Sequence, residues 1–466
     1  MLLVIISSLL GIAAFLPLNL YFLGFIFLAP FFYFLYKENS FWKLFLGAFV
    51  FRAVLGIGTV YYTLEPLLWI TTILIFSSLA LVIFILNKIF AKYPYYSYAK
   101  IIYIPLVYLV FDILEAKYSF MPTYIITAGN TFGTSPFVGL AKYGGLLSLE
   151  FFVILANTFF LLIFLNLKFF RENKNKFFLA VAGLVIFFFS AYALSGYFLK
   201  QNSKILASAE NHLNITAVTL RRNFSPFDLN ELVMDLSNIE TDLLVLPEEL
   251  FVQPENNPFT PEEASGIIKN LNLKAKYVVG TFHLVRDGKN YDTAILFDNQ
   301  GGIISQYDKN KLIILGEYWP YAYHPSFYDS LKNDPVMKDY ALFNPANNYT
   351  AGAPKIMQME NNKIEVPFAT LICLEAHYPD LIEKYRENGA KFIINPLSNR
   401  WVSVGSDHFG YLTGNLYSIE SIQVGLPMIV SGVNSFAGVF FPNGVRTIVK
   451  YSNMENYKIT TEEIAY

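Results

Sequence analysis

The sequence predicts two chemically different halves, a multi-pass α-helical membrane domain followed by an α/β domain. Three observations lead there. Of 466 residues, 54% are hydrophobic and only 15% charged, against about 25% charged in an ordinary soluble domain. The apolar excess lies in the first 200 residues. From residue 211 onward, short β-rich runs alternate with helical ones, the pattern of an α/β domain.

The first half holds seven apolar stretches, at 2–18, 21–36, 40–61, 67–86, 101–114, 146–167 and 177–199. A membrane-crossing helix needs about 20 mostly apolar residues. The second and fifth are short and would have to tilt or extend. The first stretch lacks a basic leader and a cleavage motif, so it is expected to be a retained anchor rather than a signal peptide. Lys37 and Lys43, then Lys88, Lys92 and Lys100, then Lys168, Arg171, Lys174 and Lys176 fall in alternate loops, while Glu65, Lys117 and Lys142 mark the others. The positive-inside rule places the basic loops in the cytoplasm. The N-terminus is then cytoplasmic and the second half faces outward, toward the periplasm or exterior of a bacterium. The expected organisation is a membrane domain at 1–200, a linker at 201–210 and an extracytoplasmic domain at 211–466.

Four charged residues sit in or near the spans: Arg52, Asp112, Glu115 and Glu150. Asp112 and Glu115 share a helix face. Charges in lipid usually meet a partner or a cavity. The plainer expectation is that Glu115 and Glu150 end their helices and reach water.

In the second half "ITAVTL", "DLLVLP", "KYVVGTFHLV", "TAILFD", "FATLICL", "KFIINPL", "PMIVSGV" and "AGVFFP" read as strands. "TPEEASGIIKNLNL", "YPDLIEKYRENGAK" and "DHFGYLTGNLYSIESIQVG" read as helices. Pro379 opens the second of these and Gly389 closes it.

Composition also excludes function classes. A net charge of −2 leaves no nucleic-acid footprint. One cysteine, Cys373, excludes an internal disulfide and a Cys-rich metal site. Five scattered histidines show no metal-ligand spacing, so neither a metal nor another cofactor is expected.

Three strand ends carry the chemistry. "DLLVLPEEL" presents Glu248 and Glu249; "YDKNKLIILGEYWP" presents Lys309, Lys311 and Glu317; "ATLICLEAHYP" presents Cys373 and Glu375. A thiol at a strand-to-helix turn lies near backbone N–H groups that favour the thiolate. A carboxylate can take its proton, and an ammonium can hold both thiolate and oxyanion. Glu, Lys and Cys on three strand ends would make an acyl-transfer site.

These stretches resemble the carbon–nitrogen hydrolase (nitrilase) superfamily, and within it the membrane branch of apolipoprotein N-acyltransferases. "VLPEE", "YDKNKLIILGEYWP", "NNYTAGAP", "ICLE", "SNRWVS", "FFPNGV" and, upstream, "FVGLAKYGGLLSLEFFVIL" carry the likeness. The resemblance implies an αββα sandwich and a triad of Glu248 (base), Lys309 (oxyanion and thiolate stabiliser) and Cys373 (nucleophile). Glu317 and Glu375 match two supporting acidic positions, and Trp319 and Trp401 are candidate substrate contacts. Glu249 and Lys311 match no family role. The aromatic group Tyr318, Trp319, Tyr321 and Tyr323 suits either a loop at the membrane interface or packing under a lid.

The implied reaction moves an acyl chain from a phospholipid donor, through a Cys373 thioester, to the α-amine of a diacylated apolipoprotein. Departures from the family pattern touch the surroundings of the triad. Arg221 and Arg222 stand where Gln-Gly is usual, Leu374 replaces a Tyr, "SNRW" lacks an Asp, "ESIQ" with Glu420 replaces Arg-Ala-x-Glu, and no further apolar helix follows the second half. Two rival readings use the same residues: a membrane-tethered amidase with water as second nucleophile, and a non-catalytic lipoprotein-binding module.

Overall fold

The structure is a computed structural model that describes all residues except 62–65, 119–122, 168–173, 252–257, 315, 319–347, 403–405 and 452–454. Trp319, Tyr321, Tyr323, Glu65, Lys168 and Arg171 therefore lie outside the described residues. The chain divides into two compact units, Met1–Ser203 with Asp407–Gln423, and Lys204–Ser406 with Val424–Tyr466.

The first unit is helical: α1 (Leu2–Phe15), α2 (Ala29–Lys37), α3 (Phe41–Val60), α4 (Pro66–Ser77), α5 (Leu79–Phe90), α6 (Tyr96–Tyr118), α7 (Gly145–Leu167) and α8 (Lys174–Ala207). Among the described residues four helical stretches are long and apolar enough to cross a membrane, Phe41–Val60, Ile70–Phe90, Gly145–Leu165 and Val181–Ala207. Seven crossings were expected. The other three expected stretches are shorter or more polar helices. α1 is 14 residues, which at about 1.5 Å per residue falls short of an apolar core about 30 Å thick. α2 is shorter still, at 9 residues, because Tyr21–Phe25 before it winds as a 3₁₀ turn. α6 has the length but carries Lys100, Asp112, Glu115 and Lys117. The segment expected as a linker, 201–210, holds no breaker until its end, and α8 runs through it to Ala207.

The polar residues of this unit form a buried cluster, and the expectation that Glu115 and Glu150 reach water is wrong. Arg52, Asp112, Glu115 and Glu150 are all buried. The Arg52 guanidinium pairs with Glu115, lies 3.8 Å from Asp112 and sits over the Phe76 ring at 5.4 Å. Asp112 accepts from the Ala128 N–H, Glu150 from the Gly129 N–H, and Glu115 from the Thr123 hydroxyl. Gly129 is required here, because a Cβ would stand 2.6 Å from the Glu150 backbone nitrogen. Arg52→Leu should leave the acidic groups without their counter-charge. We expect a loss of about 3–5 kcal/mol, read as a lowered unfolding midpoint of the purified protein in detergent.

The helix α12 (Ser406–Val424), which the sequence assigns to the α/β half, groups from Asp407 to Gln423 with the helical unit. The reason lies in its contacts. The Asn130 amide donates to the Leu412 carbonyl at 3.0 Å and the Asn415 amide to the Asn130 carbonyl at 3.2 Å. A Cβ on Gly133 would meet the Asn415 Cα at 2.5 Å, so the backbones touch.

The second unit is built on one mixed sheet of twelve strands. They are β1 (His212–Leu220), β2 (Leu243–Val245), β3 (Tyr277–Arg286), β4 (Lys289–Asp298), β5 (Ile303–Asp308), β6 (Ile356–Asn361), β7 (Ile364–Thr370), β8 (Ile393–Ser398), β9 (Met428–Val433), β10 (Ala437–Phe440), β11 (Arg446–Val449) and β12 (Tyr457–Ala465). The order is β5-β4-β3-β2-β1-β9-β8-β7-β6, with β10 and β11 added beside β9 and β12 beside β1. From β3 through β2, β1, β9 and β8 to β7 every neighbouring pair is parallel, and antiparallel pairs close both ends. Fully buried parallel strands read as continuous apolar runs; β2 and β9 are buried throughout.

α9 (Pro226–Leu236) and α10 (Pro261–Asn270) start at capping boxes, Ser225 with Asp228 and Thr260 with Glu263. Their Leu232, Leu236, Ala264 and Ile268 pack with Val218, Leu244, Val278 and Ile295 in one core. α11 (Pro379–Glu387) starts at its proline as expected. Gly389 follows it at φ 91°, a left-handed stop that favours glycine.

Candidate active site

Open α/β sheets bind ligands beyond the carboxyl ends of their parallel strands. Glu248 follows β2, Cys373 follows β7, and Ser398 ends β8. Lys309 follows the antiparallel β5 and is brought in by β4: its N–H donates to the Asp292 carbonyl at 2.8 Å.

The Lys309 side chain is fully buried, and its Nζ is bonded to three carboxylates. Glu317 lies at 2.6 Å, and Glu248 and Asp292 each at 3.3 Å. These three carboxylates converge closely enough to hold a metal ion, but the cation they surround is the Lys309 ammonium. Burial alone would lower the Lys309 pKa. Glu248, Glu317 and Asp292 outweigh it and hold the ammonium well above its ordinary value. Burial pushes Glu248 well above the ordinary carboxylate range against the pull of Lys309, and raises Glu317 as well. The neighbouring Asp292 charge adds to the rise of both.

Cys373 is buried and heads a 3₁₀ turn, Cys373–His377. Its φ is 55°, the left-handed region that a side chain adopts only when its surroundings enforce it. The Asn395 amide enforces it, donating to the carbonyls of Leu371 and, at 3.0 Å, Cys373. The Sγ lies 3.8 Å from the Ser398 carbonyl, whose own N–H donates to Glu248 at 2.7 Å. Ser398 thus joins the thiol and the carboxylate. Burial, then the Glu248 charge, push the thiol well above its ordinary value; Lys309 opposes them. The resting sulfur is a thiol, beside a carboxylate whose own proton affinity is raised.

Glu375 ties the thiol turn to the lysine loop. It accepts from the Ile372 N–H at 2.8 Å, the Asn310 N–H at 2.7 Å, the Lys311 N–H at 2.9 Å and the Tyr307 hydroxyl at 2.8 Å. Burial pushes it up to about 7, against those backbone donors. Gly352 braces the same loop: its N–H donates to the Lys309 carbonyl at 2.9 Å, and a Cβ there would meet the Asp308 carbonyl oxygen at 2.5 Å.

Glu375→Gln should test this brace. The folded carboxyl titrates near 7, above an unfolded value of about 4.3. Between those pH values the folded state holds more proton, so this group's contribution to stability falls as pH rises. The variant should unfold earlier by about 1–3 kcal/mol and should lose that negative slope. Unfolding midpoints measured between pH 4.5 and 7.5 would check both.

The structure therefore brings Glu248, Lys309, Cys373, Glu317 and Glu375 together. Trp401 is 39% exposed in the turn after β8. Glu249, which matches no family role, is half-buried with φ 57° and accepts from the Ser398 hydroxyl. Lys311 lies over the Tyr378 ring at 5.6 Å. Sequence reasoning missed Asp292, Asn395 and Ser398. A charged residue at the head of the apolar run "TAILFD" was the available signal for Asp292, and a place at the head of "SNRWVS" that for Ser398; a lone Asn in β8 offered none. Among the departures, Arg221 and Arg222 are exposed and Leu374 is buried. Glu420 is buried in the helical unit, with neither carboxylate oxygen hydrogen-bonded among the described residues.

A parallel-centred sheet with acidic, lysine and cysteine side chains meeting at its strand ends is the arrangement that the resemblance to carbon–nitrogen hydrolases implies. Residues 200–429 match the carbon-nitrogen hydrolase family model, and residues 7–159 match the model of the apolipoprotein N-acyltransferase N-terminal domain. The chain belongs to the apolipoprotein N-acyltransferase family, and its fold is a multi-pass helical membrane domain plus a nitrilase-like α/β domain.

Relatives bear the same name. Apolipoprotein N-acyltransferase 1 of Leptospira interrogans serogroup Icterohaemorrhagiae serovar Lai is 23% identical over 491 residues, covering 90% of this chain and 83% of the relative. Apolipoprotein N-acyltransferase of Brucella suis biovar 1 is 27% identical over 150 residues, 32% of this chain and 25% of the relative. Similar solved structures include an amidase from Nesterenkonia sp. (14% identity, TM-score 0.37, 55% of this chain and 91% of that one) and Saccharomyces cerevisiae Nit3, of branch 10 of the nitrilase superfamily (17%, 0.36, 55% and 91%).

Proposed function

We propose that this protein transfers an acyl chain from a membrane phospholipid, through a thioester on Cys373, to the α-amine of the N-terminal S-diacylglyceryl cysteine of a lipoprotein. The observation that carries the reading is the junction at Ser398, which joins the Cys373 thiol to Glu248 while Lys309 holds the same carboxylate. The name shared by the relatives supports the substrate class.

Glu248 takes the thiol proton as Sγ bonds to the ester carbonyl carbon. The Lys309 ammonium and backbone N–H groups at the head of the Cys373 turn hold the oxyanion. The C–O bond then breaks, Glu248 returns the proton to the departing lysophospholipid oxygen, and the acyl group remains on sulfur. The lipoprotein amine attacks the thioester, Glu248 accepts its surplus proton, and the C–S bond breaks to free the product and regenerate the thiol. Glu317 and Asp292 hold Lys309 in place, and Glu375 positions the turn. Both substrates are lipid-anchored, so a catalytic domain tethered to the membrane confines them to one surface. An extracytoplasmic position for that domain is supported by the alternation of basic and weakly charged loops along the sequence.

Intact-mass spectrometry of the purified protein after incubation with phospholipid alone tests this. A gain of one acyl group, released by neutral hydroxylamine, is expected. A folded protein that stays unmodified while hydrolysing a small amide would instead identify an amidase. The acylation rate should also rise with pH along a limb displaced above about 4.3, the ordinary glutamate value, because burial raises the Glu248 pKa. A pH series of single-turnover acylation would measure that limb.

A further inference from the structure

The helical unit contains a cavity of about 620 Å³ that the proposed chemistry does not use, a size typical of small-ligand sites. Leu3 of α1, Ile101 of α6, and Leu162, Phe164 and Leu165 of α7 supply apolar lining. Tyr33 and Lys37 of α2, with Ser97 and Tyr98 of α6, supply polar groups. One wall of hydrocarbon and one cluster of hydroxyls around an ammonium is the chemistry of a lipid acyl chain below its headgroup.

The surrounding charge says which headgroup. The C-terminal ends of α2 and α5 and the start of α6 are bound into one end of the unit. The Lys100 ammonium donates to the Tyr36 carbonyl and the Asn39 side chain, both at 2.8 Å. The Tyr96 hydroxyl donates to Asn39 and Asn87, and the Asn87 amide to the Glu38 carbonyl. Lys37, Lys43, Lys88, Lys92 and Lys100 thus gather with Glu38, and Glu38 pairs with Lys43 at 3.8 Å. Lys37 has no carboxylate partner among the described residues. Its ammonium lies 5.5 Å from the Tyr33 ring centre and 5.6 Å from that of Tyr36, at the cavity. Tyrosines and lysines at one level mark a membrane–water interface, and clustered lysines there attract anionic lipid.

We propose that this cavity is a binding site for one anionic phospholipid, separate from the acyl-donor site. Lys37 meets the phosphate, the Ser97 and Tyr98 hydroxyls donate to the headgroup, and the apolar lining receives an acyl chain. The lining includes none of Cys373, Glu248 and Lys309, so its lipid is bound and not consumed. Occupancy ties α1, α2, α6 and α7 together at the basic end.

The test is native mass spectrometry of the full chain taken from phosphatidylglycerol or phosphatidylcholine vesicles into mild detergent. One noncovalent phosphatidylglycerol per chain is expected, retained more strongly than phosphatidylcholine. Lys37→Glu should cut its occupancy about fivefold or more, since one basic group beside anionic lipid is worth about 1 kcal/mol. Lys37→Arg should preserve it. Leu162→Trp, which narrows the apolar part of the cavity without changing charge, should also weaken retention of the lipid. Cys373→Ala should retain it, and an excess of inorganic phosphate should leave it bound. Equal retention of both lipids, indifference to Lys37→Glu and Leu162→Trp, displacement by phosphate, or loss in Cys373→Ala would each overturn the proposal. A covalent acyl adduct differs in mass from a bound lipid, so this result and that of the thioester experiment are read separately.

Discussion

Replacing Cys373 with serine is expected to lower acyl transfer by on the order of 10⁴-fold or more, the scale on which nucleophile removal acts in other acyl-transfer enzymes. The substitution is nearly isosteric at a position held at φ 55° by Asn395, so the fold should survive. What changes is the atom. A serine hydroxyl is a far weaker acid than a thiol, and Glu248 then has to remove a much less available proton. The intact-mass experiment on the serine variant should show no hydroxylamine-labile adduct. A variant that retained full transfer would show that Cys373 is not the nucleophile, and the thioester reading would fall. Unfolding midpoints measured alongside would separate a chemical loss from a folding loss; we expect a change of less than about 1.5 kcal/mol.

Lys309→Met should have the second large effect, and on two quantities at once. The methionine keeps the volume and removes the charge. Glu248, Asp292 and Glu317, each within 3.3 Å of the ammonium, would then share a buried site with no cation. Breaking a buried ion pair costs about 3–5 kcal/mol, and here one cation serves three carboxylates. The carboxylates would relieve the strain by taking up protons, which removes Glu248 as a base near neutral pH. Loss of the oxyanion partner adds a factor of about 10²–10³ in rate. The two effects separate by pH. At acid pH, where the carboxylates are protonated, Lys309→Met should approach wild-type stability while remaining inactive. Unfolding midpoints and single-turnover acylation measured across the same pH range would show it. A variant as stable as wild type at neutral pH would mean that the carboxylates do not depend on Lys309.

Much of this protein is legible along the chain. Apolar content divides the halves, and strand-end motifs mark Glu248, Lys309, Cys373, Glu317 and Glu375. Those features are local: a run of hydrocarbon side chains or a strand ending in Pro-Glu declares itself within ten residues. Helix starts are equally local, as Thr260 and Pro379 illustrate.

Other features depend on residues far apart in sequence. Asp292 joins the site because β4 pairs with β5 and sets it beside Lys309. Ser398 and Asn395 matter because β8 lies beside β7, placing an amide and a carbonyl under the cysteine. Arg52 neutralises acids on α6, a partnership 60 residues away that no periodicity reveals. The helix Ser406–Val424 reads in sequence like any other helix of an α/β domain, yet its asparagine contacts with the 128–133 segment group it with the membrane half.

The sequence by itself determined the two-part architecture, the strand-end residues and the basic loops, because hydrophobicity and turn chemistry act between near neighbours. Only the tertiary structure decided which charges compensate one another and what holds Cys373 in its left-handed conformation. Burial makes an unpaired charge or hydrogen-bonding group costly, and its compensating partner can come from any element that the fold brings close.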